Sequence, residues 1–576
     1  MKVTLAALNA SYTHTSLACA YLKGFCQDSR WYIDIMEFTI NDHYGSILSR
    51  LFAAQSDIYG FSCYIWNIDM VKRLCSDLKL ARPDCFIVLG GPEVSYDAEE
   101  LMQENPLVDA VICGEGETAL QEMLEAKYTG QSLVGIPGLV VRQGKEIRVN
   151  PPRAPLPDLD QIPSPIPFID IQRGLVYYET SRGCPFRCAY CLSACESGVR
   201  YFSLERVKKD LLVLMQNQAK VVKFVDRSFN CHENRARQIM EFILANNIST
   251  RFHFEINAEL LSEEMLDYLT RVPAGVFDFE IGIQSTYPPT LKAINRSSRW
   301  EHLRERIQRL QRAGNIHLHV DLIAGLPYES YEQFGNSFNQ VFSLQADVIQ
   351  LGFLKMLKGS PLREQAGEYH YAFQQHAPYE VLGNHVISFA ELDRLHYIED
   401  MLERYYNSQH FRRTIDHLIC QVYEGQAFQF FEELAWEWQQ GGYHLRQHSR
   451  EREYVFLLQF VNQHWAGEYN VVQELLKLDY LSSFPTGHLP PEFESFNPVN
   501  YSDYLYNCLK DEDFMAAHFP QLSHLSPRQR RRRIHLEWLK VDIKTNTYIS
   551  SARPTFIIYN AARNKLEMML QPEPEP

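Results

Sequence analysis

No stretch of this 576-residue chain approaches the ~20 consecutive apolar residues that a membrane-spanning helix needs, so no membrane association is expected. No segment recurs at a fixed period, which argues against a solenoid or propeller. Basic residues are the minority, with Lys plus Arg at 56 against 71 for Asp plus Glu and a net charge of −15. A general nucleic-acid coat needs the opposite balance, so at most a local basic patch is left for such a partner. The 13 cysteines are an odd number and, outside one run, follow no regular spacing. That excludes a disulfide framework and points to reduced thiols in a cytoplasmic setting. The opening Met-Lys-Val-Thr-Leu-Ala-Ala-Leu-Asn has one lysine and a short apolar run, which reads as a first strand and not as a secretion signal. Hydrophobic residues make up 45% of the chain, enough for sizeable cores, and the length allows three or four domains.

Residues 1–150 alternate short apolar runs with helical patterns. Strands are expected at 3–8, 32–37, 58–62, 86–89 and 110–113, and helices at 17–26, 69–80, 98–104 and 117–126. Such alternation predicts a doubly wound, Rossmann-like parallel sheet, whose ligands sit at the carboxyl ends of the strands. Those ends hold unusual residues: Ser11 and Tyr12 with His14 nearby; Ser62, Trp66 and Asn67; Gly90, Gly91, Pro92 and Glu93; Gly114, Glu115 and Gly116. Glycines there let the backbone approach a flat or bulky ligand. The plainer alternative is a tight turn at Gly-Gly-Pro and a helix start at Gly-Glu-Gly-Glu.

Residues 151–172 form a connector, with seven prolines between 151 and 168, a density that no regular element tolerates. From 173 to 365, strands at 175–180, 221–225, 252–256, 277–283, 317–322 and 348–353 alternate with helices at 204–216, 233–246, 263–269, 304–313 and 331–344. Six β/α units predict a partial (β/α)6 barrel with its chemistry at the carboxyl ends of the strands. Just after the first strand comes Cys184-Pro-Phe-Arg-Cys188-Ala-Tyr-Cys191. Three cysteines so spaced can turn into one small volume, and thiolates are the usual ligands of iron–sulfur clusters. Three thiolates on a four-iron cluster leave one iron open. Zinc is the rival, but it takes four protein ligands in two close pairs. Cys195 could supply a fourth thiolate, or be a bystander or a residue facing the site. At the later strand ends stand Asp226, then Glu255 and Asn257, then Glu280, Gly282 and Gln284 alternating to one face and followed by Ser285, then Asp321. Buried polar residues on an inner barrel face need partners. Asp226 could equally be an ordinary turn or helix-cap aspartate.

The cysteine spacing, with Tyr190 before the third cysteine, resembles that of the radical S-adenosylmethionine (SAM) enzymes. The four strand ends of the first domain resemble the cobalamin-binding domain that precedes the radical SAM core in one large subgroup. The resemblance covers residues 1–365, and more weakly a C-terminal domain of unassigned function. It implies a 4Fe-4S cluster on Cys184, Cys188 and Cys191, with SAM on the open iron. It places Tyr190, Asp226, Glu280, Gln284, Ser285 and Asp321 around SAM, with Asp226 facing the ammonium of its methionine part. The family motif has glycine where this chain has Asp321. Cobalamin would lie on the strand ends of the first domain. The Asp-x-His-x-x-Gly pattern that supplies a lower histidine to cobalt is missing, so that ligand is not expected. The implied function is reductive cleavage of SAM to a 5′-deoxyadenosyl radical, serving methyl transfer to an unactivated centre. The alternatives are a non-methylating rearrangement or cyclisation, and a non-catalytic cobalamin-responsive binding protein. An electron donor such as flavodoxin or ferredoxin is the implied partner.

Residues 366–576 read as a mostly helical domain of unknown role, with helices at 391–406, 427–439, 454–462 and 471–478. The basic run Arg528-Gln-Arg530-Arg531-Arg532-Arg533 is either a solvated helix face or a contact for an anionic group. The tail 571–576 reads as disordered.

Overall fold

The computed structural model describes residues 1–195, 198–296, 299–484, 489–560 and 565–572. The chain forms two compact units: Met1–Ser337, Leu344–Ala346 and Gln350–Leu392; and Phe338–Ser343, Asp347–Ile349 and Asp393–Pro576. Among the described residues no helix is long and apolar enough to cross a membrane.

The first unit opens with β1 (Lys2–Asn9), β2 (Tyr32–Thr39), β3 (Ile58–Ser62), β4 (Phe86–Gly90), β5 (Ala110–Ile112), β6 (Leu139–Gln143) and β7 (Glu146–Val149), in the order β2-β1-β3-β4-β5-β6-β7. Strands β1 to β5 pair in parallel, and β6 and β7 are added antiparallel. The period-two alternation of β1 sends Leu5 and Ala7 to one core and Ala6 and Leu8 to the other, which is what a strand buried on both faces requires. The helix Tyr44–Ala54, not expected from the sequence, buries only Ile47 and Leu51. Because β1 has β2 on one side and β3 on the other, the winding reverses there, and a crevice opens at the carboxyl ends of β1 and β3.

The proline-rich connector is docked along its length. Arg153 pairs with Glu122, the Leu156 N–H donates to Glu115 at 2.9 Å, Ile162 is buried, and Ser164 Oγ donates to Asp210 at 2.7 Å.

Next come β8 (Leu175–Tyr178), a hairpin of β9 (Ser181–Gly183) and β10 (Val199–Tyr201), then β11 (Val221–Phe224), β12 (Arg251–Ile256), β13 (Phe277–Gln284), β14 (His317–Ala324) and β15 (Val348–Phe353). Six of them form one sheet in the order β15-β14-β13-β12-β11-β8, a partial barrel. Its two faces differ sharply. Phe252, Phe254, Phe277, Phe279, Ile281, Leu318, Val320 and Leu322 are buried under the helices. Their neighbours Lys223, His253, Glu255, Glu280, His319 and Asp321 face the lumen and stay partly exposed. The lumen is therefore a polar cavity and not a packed core.

The second unit is helical through Ala427–Gln440, Arg450–His464 and Tyr469–Ser483, as the sequence indicates, and then adds an unexpected antiparallel sheet of Ile534–Asp542, Thr547–Asn560 and Lys565–Leu570. Leu475 and Leu478 pack on Leu539 and Val541 of that sheet. The basic run divides: Arg528, Arg531 and Arg532 are exposed, whereas Arg530 is buried. Arg530 donates to the carbonyls of Leu509, Leu522 and Ser523 and pairs with Glu512 at 3.0 Å. One arginine of the expected solvated face is thus an internal tie.

Candidate active site

The β9–β10 hairpin presents the cysteine loop. Gly183 has φ +94°, and a Cβ there would lie 2.2 Å from the Gly198 carbonyl oxygen, so only glycine closes the hairpin ahead of Cys184. Within the loop the Cys191 N–H donates to the Cys188 carbonyl at 3.0 Å, and Ala189 is held by backbone bonds to Ile294 and Leu362. Cys184, Cys188 and Cys191 are free and half-buried, whereas Cys19, Cys26, Cys63, Cys75 and Cys85 are buried. Burial pushes the Cys184 thiol up, and the neighbouring Cys191 and Cys188 add to the rise. Among the described residues no three His, Cys, Asp or Glu groups close around a single ion. A cubane cluster takes each thiolate on a different iron, and three thiolates leave its fourth iron open, whereas a structural zinc takes four protein ligands. The side chain of Cys195 lies outside the described residues.

Arg296 stands over this loop and was missed in the sequence, where it lies in a loop twelve residues after Gln284. It donates to Tyr190 Oη at 3.2 Å, to Cys188 Sγ at 3.9 Å and to the Gly282 carbonyl. Among the described residues no carboxylate pairs with it. A cation so placed suits an anionic neighbour, such as a thiolate-held cluster or a ligand carboxylate.

Three expected SAM contacts are already engaged by the protein. Asp226 is buried and accepts from Thr180 N at 2.8 Å, Thr180 Oγ1 at 2.6 Å and Ser181 Oγ at 2.5 Å, so it ties β11 to the segment leading into β9 and presents no free carboxylate to an ammonium. Glu280 Oε2 takes both Lys223 Nζ at 2.8 Å and His253 Nε2 at 2.7 Å. Burial opposes the charge on Glu280, but the bonds from His253 and Lys223 prevail and hold it at about 2. Ser285 Oγ donates to Glu329 at 2.6 Å.

Tyr190 is bonded to Arg296, and Gln284 and Asp321 fit a ligand. Gln284 is only 8% exposed, adopts φ +71°, and has no partner for Oε1. Its amide lies over Gly282, where a Cβ would come within 2.3 Å of it. Asp321 Oδ1 is buried without a hydrogen bond: His319 Nε2 is 3.2 Å away but wrongly oriented. Burial, then Glu280 and Glu255, push the Asp321 carboxyl well up, and Glu255 is raised by burial too. Unsatisfied acceptors on adjoining strands call for a donor-bearing ligand, and the ribose hydroxyls and ammonium of SAM have that chemistry.

Glu329, also missed, is buried, accepts from Ser285 and from Ser337 Oγ at 2.8 Å, and is pushed up to about 7 by burial against those two bonds. The unfolded chain releases this proton near 4.5, so the folded state holds it more tightly and stability falls as pH rises from 4.5 to about 7. A rise of that size corresponds to about 3 kcal/mol. Glu329→Gln should therefore melt above the wild type at about pH 8 and close to it at about pH 4, as read by thermal unfolding.

In the first domain Ser62, Gly90 and Ile112 are in register on neighbouring strands, so the chosen strand ends share one edge. Ser11, Tyr12, Trp66, Pro92 and Gly114 lie along it, with Tyr12 59% and Trp66 46% exposed. Trp66 is nonetheless fixed: it stacks on Tyr64 at 4.4 Å and 5°, and its Nε1 donates to the Leu8 carbonyl at 3.2 Å. A rigid, half-open indole beside glycines is a platform for a large planar ligand. Gly91 has φ +115°, and a Cβ there would lie 2.5 Å from the Cys63 carbonyl oxygen. Four other candidates serve the fold. Asn67 is buried and donates to the Leu8 and Ser62 carbonyls. Glu93 is buried and accepts from Tyr379 Oη at 2.5 Å. Glu115 pairs with Arg200 at 2.6 Å, and Gly116 begins a helix against Leu22.

The two domains of this unit meet at the cysteine hairpin. Arg182 pairs with Glu179 at 2.9 Å and with Glu117 at 2.7 Å and Glu115 at 3.4 Å on the opposite side. Burial pushes the Glu179 carboxyl up to about 7 although Arg182 opposes it.

A model of the B12 binding domain matches residues 3–124, and one of the radical SAM superfamily matches residues 178–341. The chain carries a B12-binding domain followed by a radical SAM domain. A third model, of a protein family of unknown function (DUF4080), matches residues 367–559. The chain is 28% identical over 298 residues to an uncharacterized methyltransferase of Pyrococcus horikoshii, covering 49% of this chain and 63% of that one. It is 28% identical over 309 residues to the cobalamin-dependent radical SAM methyltransferase TokK of Streptomyces tokunonensis, covering 49% of this chain and 44% of that one. The chain thus spans less than two thirds of either relative. The solved structure of the cobalamin-dependent S-adenosylmethionine radical enzyme OxsB, with aqua-cobalamin bound, shares the fold at a TM-score of 0.58 and 14% identity, covering 85% of this chain and 82% of that one.

Proposed function

We propose that this protein is a cobalamin-dependent radical SAM enzyme that transfers a methyl group to an unactivated centre. The observation that carries the reading is the cysteine loop: three free, half-buried thiols beside a cation without a carboxylate partner, at the mouth of a lumen with unsatisfied acceptors. When bound, the cluster, SAM and cobalamin supply one-electron cleavage and a methyl donor. The chain's own part is placement. Cys184, Cys188 and Cys191 would hold the cluster, and Gln284, Asp321 and Glu255 would accept from the donors of SAM. Arg296 would balance negative charge at the loop, and Trp66 with the glycine edge would seat the corrin. The Arg182 lock keeps the two sites in one body, which limits access of water between them. The names of the two relatives favour methylation over rearrangement.

The test is anaerobic reconstitution of the cluster, loading with hydroxocobalamin, desalting, and reaction with methyl-deuterated SAM under reductant. Retained cobalamin absorbance together with 5′-deoxyadenosine formation is expected. Intact cluster absorbance without retained cobalamin would sink the methyltransferase reading.

A further inference from the structure

Below the SAM-facing acceptors the polarity of the lumen reverses. Two residues down β14 from Asp321 is His319, and two down β12 from Glu255 is His253, a drop of roughly 7 Å. Lys223 lies level with His253 and with Tyr177. Of the nearby carboxylates, Asp278, in register with His253, pairs with Arg251 at 2.7 Å, and Glu280, in register with Glu255 and His319, already accepts from both Lys223 and His253 on the same oxygen. An ammonium has three N–H donors, and Lys223 commits one of them, while its side chain remains 27% exposed to the cavity. His319 Nε2 is buried without a partner. Tyr177 Oη lies 3.4 Å from His14 Nδ1, and His14 sits on the strand-end edge of the first domain. The lumen therefore offers unfilled donor positions on Lys223, and on His319 in its Nε2–H tautomer, beside the unsatisfied acceptors of Gln284 and Asp321, and it adjoins the edge assigned to the corrin.

We infer that Lys223 and His319 anchor an anionic oxygen group of the substrate, so that the substrate class is an organic acid held by its carboxylate deep in the barrel. This rests on the proposed enzymatic reading for calling the ligand a substrate. Lys223 bears a full positive charge on a flexible stem and suits a carboxylate whose exact angle varies. Glu280 orients that ammonium without filling its remaining donor directions. The acid would enter past the SAM-facing acceptors, leaving its carbon skeleton between the cysteine loop and the first domain.

The probes are acetate and succinate, followed by saturation-transfer NMR on the full-length, reconstituted protein. Spectra are taken without and with excess SAM, so that a site belonging to the carboxylate of SAM is recognised by its loss. Signals are expected for the wild type and for Lys223→Arg. They should fall at least about ten-fold in the double variant Lys223→Met/Glu280→Gln, which removes the pair together and leaves no stranded charge. Circular dichroism and cluster absorbance verify that the variants fold. Signals absent from the wild type, equal in the double variant, or abolished by SAM would each overturn the assignment. 5′-Deoxyadenosine formation is measured in parallel. If SAM is not cleaved but the anion signals behave as expected, the enzymatic reading falls and the anion site stands. Cleavage without the anion signals gives the reverse.

Discussion

Replacing Cys184, Cys188 and Cys191 together by alanine is expected to abolish iron uptake and cleavage of SAM while leaving the fold intact. The proposed function assigns the cluster to these three half-buried thiols, whereas Cys19, Cys26, Cys63, Cys75 and Cys85 are buried in the first domain. They are also only half-buried, so their loss removes less packing than loss of a core residue would. Iron and sulfide content should fall to background, far-ultraviolet circular dichroism should be unchanged, and 5′-deoxyadenosine should be undetectable. Retained cleavage would mean that other ligands hold the cluster. A single alanine is expected to do nearly as much, since a half-ligated cluster is easily lost. Full cobalamin retention by the triple variant would show that the first-domain edge is formed independently of the loop.

Asp226→Ala is expected to produce the largest loss of stability. The buried carboxylate satisfies one backbone donor and two hydroxyls at once. Removing it strands the Thr180 N–H and the hydroxyls of Thr180 and Ser181 in the interior. Each stranded donor costs about 1–3 kcal/mol, so a total of about 3–5 kcal/mol is expected, set against the few kcal/mol of net stability of an ordinary domain. Chemical denaturation of the apo protein should show it. Because Ser181 begins β9, the same change should loosen the hairpin that presents Cys184, and cluster yield should drop in parallel. Asp226→Asn preserves shape and part of the bonding, so a smaller loss is expected. Equal loss in both would assign the effect to charge and not to stranded donors.

The barrel strands were legible because each apolar face alternates cleanly, as in Phe252, Phe254 and Ile256 or Leu318, Val320 and Leu322. The helix Tyr44–Ala54 escaped because Gly45 and Ser46 blunt its start and only two of its residues are buried. The strand Ile534–Asp542 alternates as well as any, but it follows a run of arginines that invites a helical reading. In the site, the cysteine loop is local in sequence and was read directly. Arg296, Glu329 and the Lys223–Glu280–His253 set could not be, since they meet only when separate strands and loops converge. The same alternation that located the strands would have placed Lys223, His253 and His319 on the inner face, had it been followed below the strand ends. Asp226 and Ser285 stand just past the ends of β11 and β13, but a single sequence does not show whether a polar side chain is turned to the ligand or to its own chain.

The bond from Tyr379 to Glu93 spans 286 residues, and Lys358 closes on Asp97 at 2.7 Å beside it. During synthesis the first domain emerges long before either partner exists. Glu93 must wait through the translation of the whole barrel before its buried carboxylate is satisfied. The N-terminal sheet can form early, but the loop after β4 is finished only by the returning chain. Contacts of such long range slow folding, and they couple the completion of the loop after β4 to the arrival of the chain that follows the last barrel strand. The order of assembly is thereby written into the structure: the strand-end edge at Gly91 to Glu93 reaches its final form only after the barrel is complete.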